Sequence, residues 1–231
     1  MSQARGFPLF WLPLACALIP VLAVHVAWWL SVRDGYVPYC IPYFEGCTSI
    51  SRAARHGLGN HVFQFLMLPC AVLQMLFWSS ARGWLRQVHH DPRAGVSMPW
   101  LGLIAGMFLI LYANFLGTEG AIYQLLRRYG VIVYFAMTYL AQLALLHRLP
   151  GLSLPRAMLP LAVAICVSML VLGLVSTWAS AAIADRTLKD AVENVLEWNL
   201  GALLTAWFLL MTWLYRISGI RARLDVPRSG S

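Results

Sequence analysis

Six long apolar stretches constrain this chain more than anything else in it. They cover 9–32, 58–81, 98–117, 129–147, 156–183 and 194–215. A helix crossing a bilayer needs about 20 consecutive apolar residues. Strands of a membrane β-barrel would read as alternating segments of about ten residues, and no such alternation is present. Hydrophobic residues make up 60% of the 231 and charged ones only 11%. A soluble domain has roughly 45–50% apolar and about 25% charged residues, so the excess has nowhere to go but lipid. The reading is an all-α polytopic membrane protein, a single domain (1–231) of six transmembrane helices. The first stretch is expected to stay as a span, because it is long and no Ala-x-Ala cleavage site follows it. Pro13 and Pro20 inside it are tolerable where neighbouring helices satisfy the freed backbone groups.

Charge sets the orientation. One face collects Arg5, Arg82, Arg86, Arg93, Arg148, Arg156, Arg216, Arg221, Arg223 and Arg228, against Asp91 and Asp225 only. The opposite face balances its acids and bases, so the whole net charge of +8 belongs to the first. Short basic loops stay on the cytoplasmic side, which places both termini in the cytoplasm. The arginines are read as topology signals and contacts for anionic lipid headgroups at the basic cytoplasmic loop, not as a nucleic-acid surface. Arginine far exceeds lysine, as GC-rich coding gives, and points to a bacterial inner (cell) membrane.

The 33–56 loop lies on the other face. It holds Cys40 and Cys47, whose spacing and oxidising compartment allow a disulfide. Zinc would need a second ligand pair, and none stands nearby. Tyr36, Tyr39, Tyr43 and Phe44 read either as an interfacial aromatic belt or as a lid over a cavity.

Polar side chains at membrane depth usually face the bundle interior. Here they gather in the outer third: His25, Asn60, His61, Gln64, Asn114, Glu119, Arg127, Arg128, Glu197 and Asn199. Asn60 and Gln64 share one helix face. Glu119 and Glu197 need cationic partners, and Arg127 or Arg128 is expected to supply them. One reading is a polar outer-leaflet cavity able to hold a lipid headgroup; the other is ordinary pairing at helix ends. His25 and His61 lie at similar depth on different helices without the paired spacing of a haem or metal site, so no metal and no cofactor is expected. The phosphate-binding glycine loop, Gly-x-Ser-x-Gly and His-Glu-x-x-His are absent. Ser49, Ser51 and His56 remain as a possible loop nucleophile and base.

Three short segments resemble one family. Thr48-Ser49-Ile50-Ser51-Arg52-Ala53-Ala54, Gly117-Thr118-Glu119-Gly120 and Val195-Leu196-Glu197-Trp198 are similar, in order and placement, to motifs of the six-span Frag1/DRAM/Sfk1 family. The likeness is to its branch containing the GPI-lipid remodelling factor PGAP-two. Thr48 stands where that branch has proline, and arginine at 127 or 128 stands where it has histidine. The resemblance implies a role in lipid remodelling or lipid organisation, with Glu119 and Glu197 as the matched positions. Three functional expectations follow: a lipid-binding protein with an outer-leaflet headgroup cavity, an intramembrane acyltransferase or hydrolase acting on lipids, or a structural or assembly protein holding a membrane-protein partner.

Overall fold

The computed structural model describes residues 6–222. Arg5, Arg223, Asp225 and Arg228, counted above in the charge of one face, lie outside the described residues. A two-residue strand β1 (Phe7–Pro8) leads into helix α1 (Trp11–Arg33). The one-turn helices α2 (Pro42–Glu45) and α3 (Ile50–Ala53) follow. The long helices α4 (Gly57–His89), α5 (Met98–Phe115), α6 (Ala121–Leu146), α7 (Met158–Ala182) and α8 (Arg186–Ile217) complete the bundle, and β2 (Arg221–Ala222) closes the described chain. The six long helices are all long and apolar enough to cross a membrane, so this is an integral membrane protein.

The helices overrun the apolar stretches. α4 continues past 81, α6 begins well before 129, and α8 begins well before 194. An apolar run measures the hydrocarbon it must cross, whereas a helix continues until a cap ends it. Asp185 caps α8 by accepting from the Leu188 N–H at 2.9 Å. His90 takes the left-handed conformation (φ 51°) that closes α4.

Strands β1 and β2 pair antiparallel, Phe7 with Ala222 and Pro8 with Arg221. They bring both ends of the described chain to one end of the bundle, here the terminal end. The α2–α3 segment, the 116–120 turn and the 183–185 turn share the opposite, loop end. Around the bundle α7 packs on α8, α8 on α1, α1 on α4, α4 on α5 and α5 on α6, while α6 and α7 touch lightly.

Lipid tails are as apolar as leucine, so membrane helices associate through close packing of small residues rather than hydrophobic burial. Ala17, Ala23 and Ala27 of α1 are fully buried, as are Ala71 and Ala81 of α4. Gly102 and Gly106 let α5 approach α4 so closely that a Cβ at either would run into Trp78 or Met75. Toward the terminal end the interior is filled with large side chains: Phe77, Trp78, Phe208 and Tyr215 form an interlocked aromatic set with Phe77–Phe208 centroids 5.3 Å apart. Toward the loop end the filling is incomplete.

Candidate functional site

The interior opens where α1 carries Pro20. Proline withholds the N–H that the Cys16 carbonyl would accept, and Cys16 and Pro20 both line a cavity of about 70 Å³. All of α1, α4, α5, α6 and α8 contribute walls, from Phe63 and Val131 near the loop end to Gln74 and Phe208 deeper in. The lining is apolar apart from a few groups, and Glu197 is its one carboxylate. A groove of about 180 Å³ runs beside the cavity between α1 and α8, and the two share Pro20, Val24, Ile50, Gly201 and Thr205. Ile50 therefore stands on the wall between two adjacent spaces.

The α2–α3 segment roofs both. Cys40 and Cys47 are disulfide-bonded, with Cα atoms 6.5 Å apart. Three side chains of α8 donate to carbonyls of the segment: Asn194 to Gly46 at 2.7 Å, Trp198 Nε1 to Thr48 at 2.9 Å and Asn199 to Tyr43 at 3.1 Å. From α1, the Ser31 hydroxyl donates to the Ala53 carbonyl at 2.6 Å. Ser49 caps α3, its hydroxyl accepting from Arg52 N–H at 3.1 Å.

Glu197 reaches the same short helix. Its Oε1 accepts from the Ser51 N–H at 3.3 Å, and the Ser49 and Ser51 hydroxyls are 3.1 Å apart. Ser49, Ser51 and Glu197 thus come together although 146 residues separate Ser51 from Glu197. His56 does not join them; it is exposed and stacks on Tyr36 with centroids 4.9 Å apart. The histidine that bonds a side chain of the roof is His25. Its Nδ1 lies 2.7 Å from the Val21 carbonyl and its Nε2 3.1 Å from the Tyr43 hydroxyl. The assignment that satisfies both has Nδ1 donating and Nε2 accepting from Tyr43. Burial pushes the Tyr43 phenol pKa up. His25, Tyr43 and Trp198 wall the groove, and the His25 and Trp198 rings meet edge to face at 5.6 Å.

The other expected site residues divide. Asn60 donates to the carbonyls of Ala54 (3.0 Å) and Leu116 (2.8 Å), and Gln64 to that of Ala113 (3.2 Å). Arg127 donates through one nitrogen to the carbonyls of Phe115 and Thr118. All three add donors at the C-terminal end of α5, where the Leu116 and Thr118 N–H groups bond the Ala113 and Phe115 carbonyls in tight turns. The expected pairing of Glu119 and Glu197 with Arg127 or Arg128 is absent. Among the described residues the ion pairs are Arg33–Asp34, Arg52–Asp190 and Arg148–Asp91. The α5 terminus recruits Arg127, and a peptide N–H meets Glu197. Glu119, Asn114, Arg128 and His61 are exposed and line neither space. His61 and His25 do not share a wall. Among the described residues, no group of three His, Cys, Asp or Glu side chains is placed to hold a metal ion.

Three contributors escaped sequence reasoning. Tyr112 lines the cavity and is buried; Trp198 anchors the roof; Arg55 is partly buried, with its Nε enclosed and without a hydrogen-bond partner. Trp198 was legible as the neighbour of Glu197. Arg55 had only its spacing of three from Arg52 to mark it. Compared with known protein families, with curated proteins and with solved structures, the chain matches none.

Proposed function

We propose that this is a lipid-binding membrane protein, whose cavity and α1–α8 groove take acyl chains while the roofed mouth around Glu197 meets a headgroup. The single observation that carries this reading is one carboxylate, roofed by a disulfide-braced segment, at the edge of an apolar cavity that lies beside a groove between two helices. Ligand sites are mostly apolar with few convergent polar groups, and an ionisable group at membrane depth marks function by default. The positive-inside charge and a disulfide at the loop end support cytoplasmic termini and a bacterial cell membrane. The motif resemblance to the Frag1/DRAM/Sfk1 family supports a role in lipid remodelling or organisation.

The test is lipid mass spectrometry on a deletion strain complemented with wild type or Glu197→Gln. One lipid class should shift on deletion and return only with wild type. Equal rescue by a folded Glu197→Gln protein would overturn the reading.

The convergence of Ser49, Ser51 and Glu197 favours a second reading, an intramembrane acyl-transferring or hydrolysing enzyme. A hydroxyl nucleophile needs a base within hydrogen-bond reach, and Glu197 is the carboxylate beside that serine pair. Full rescue of lipid composition by a Ser49→Ala, Ser51→Ala double variant would remove this reading and leave binding in place.

A further inference from the structure

The loop end of the α1–α8 groove is walled by three rings, His25 of α1, Tyr43 of α2 and Trp198 of α8. The other polar side chain on its lining is Thr205, deeper along α8. Each of the four has a hydrogen to donate, and each hydrogen is spent. His25 Nδ1 donates to the Val21 carbonyl at 2.7 Å, and the Tyr43 hydroxyl donates to His25 Nε2 at 3.1 Å. Trp198 Nε1 donates to the Thr48 carbonyl at 2.9 Å, and the Thr205 hydroxyl to the Gly201 carbonyl at 3.0 Å. A neutral imidazole and an indole have one N–H each, so the lining keeps no side-chain donor. What it keeps is acceptor capacity, the lone pairs of two hydroxyl oxygens. Of these the Tyr43 oxygen stands at the ring-walled end.

Such a lining selects by what the ligand brings. A phosphate or carboxylate oxygen would meet no side-chain donor there and would lose the hydrogen bonds it had in water. A hydroxyl brings a donor, together with lone pairs that find no side-chain donor. A protonated primary amine carries three N–H donors and no acceptor, and so matches an acceptor-only wall. The aromatic character of the wall also favours a cation over an anion. Neither the groove nor the cavity beside it is lined by a lysine or an arginine, and across Ile50 the cavity holds the Glu197 carboxylate.

We infer that the loop end of the α1–α8 groove binds the protonated amine of a lipid headgroup, with the Tyr43 hydroxyl oxygen as its acceptor. His25 is a positioning residue: by taking the Tyr43 hydrogen it holds that hydroxyl in its accepting orientation. This rests on the lipid-binding reading above and specifies the headgroup. The deeper end of the groove, from Pro20 to Thr205, remains for a chain.

The test uses the full-length protein in neutral detergent, titrated separately with dioleoyl phosphatidylethanolamine, phosphatidylcholine and phosphatidylglycerol. Binding is read by native mass spectrometry and by thermal shift. The choline lipid keeps the chains, the phosphate and the positive charge of the ethanolamine lipid, but its nitrogen carries methyls in place of N–H. Phosphatidylethanolamine should bind about tenfold more tightly than phosphatidylcholine, the worth of one hydrogen bond from a charged donor. Tyr43→Phe keeps the ring and should shrink that preference. The His25→Phe, Tyr43→Phe double variant also removes the Nε2 that the single change uncovers, and should abolish it. Tyr39→Phe, at an exposed position of the same loop, should leave it intact. A preference set by headgroup size alone would survive all three variants. Equal binding of the ethanolamine and choline lipids, phosphatidylglycerol binding as tightly as phosphatidylethanolamine, or a double variant that elutes as wild type and keeps the full preference would overturn the amine site while leaving lipid binding in place. Binding of none of the three lipids would overturn the lipid-binding reading and the amine site with it.

Discussion

At the scale of single residues, the polar groups of the outer third do different work despite equal depth. Asn60, Gln64 and Arg127 look like ligand-binding side chains in the sequence, yet the end of α5 claims them. A buried carbonyl without a donor costs about 1–3 kcal/mol. Asn60→Ala, which removes the side-chain donor to the Ala54 carbonyl and leaves that of Leu116 with the longer 3.5 Å bond from Gln64, should lower stability by about that amount, read as a drop in melting temperature in detergent. Glu197 differs because its partner is a single backbone N–H of the roof. Gly102 tests the packing argument: Gly102→Leu forces a side chain into Trp78 and should destabilise by about 1–3 kcal/mol, the usual cost of overpacking. The same change at Gly173, where a Cβ meets nothing within 4 Å, should cost far less.

At the scale of elements, the α2–α3 segment is too short in its helices to hold itself. One-turn helices lack the length to repay their nucleation, so the disulfide and the donors from α8 and α1 fix it in place. Cys40→Ala with Cys47→Ala should raise hydrogen exchange across 42–53 while the long helices stay protected. The expected loss is about 2 kcal/mol of local stability, the low end for a small closed loop. Trp198→Phe keeps an aromatic ring against His25 and Tyr43 but loses the bond to Thr48, and should loosen the same segment by about 1 kcal/mol. Unchanged exchange in both variants would show that the segment holds by packing alone. The cavity beneath belongs to this scale too. It lies where Pro20 of the continuous helix α1 faces the interior and where α6 and α8 face each other without packing along their lengths.

At the scale of the whole molecule, the β1–β2 ladder makes one firm statement: the ends of the described chain lie together at one end of the bundle. With the positive-inside rule, that end should be cytoplasmic. Green fluorescent protein fused at either terminus should therefore fluoresce, and alkaline phosphatase inserted in the 34–41 stretch should be active. The opposite pattern would invert the proposed orientation and put the disulfide in a reducing compartment.

The sequence by itself determined the class of fold, the number of spans and the crowding of polar groups toward one end. These follow from hydrocarbon thickness and the cost of polar groups within it, which act on each stretch separately. It also marked Cys40 and Cys47 and the segments holding Ser49, Ser51 and Glu197, though not that they meet. Tertiary structure alone decided which polar groups are spent. Asn60 and Gln64 could be read onto one face, but not toward the α5 terminus; the Nε of Arg55 became enclosed without a hydrogen-bond partner. The physical reason is that a side chain's hydrogen-bond partner depends on which helix end lies opposite. Periodicity and depth constrain each helix in turn and carry no information about that pairing.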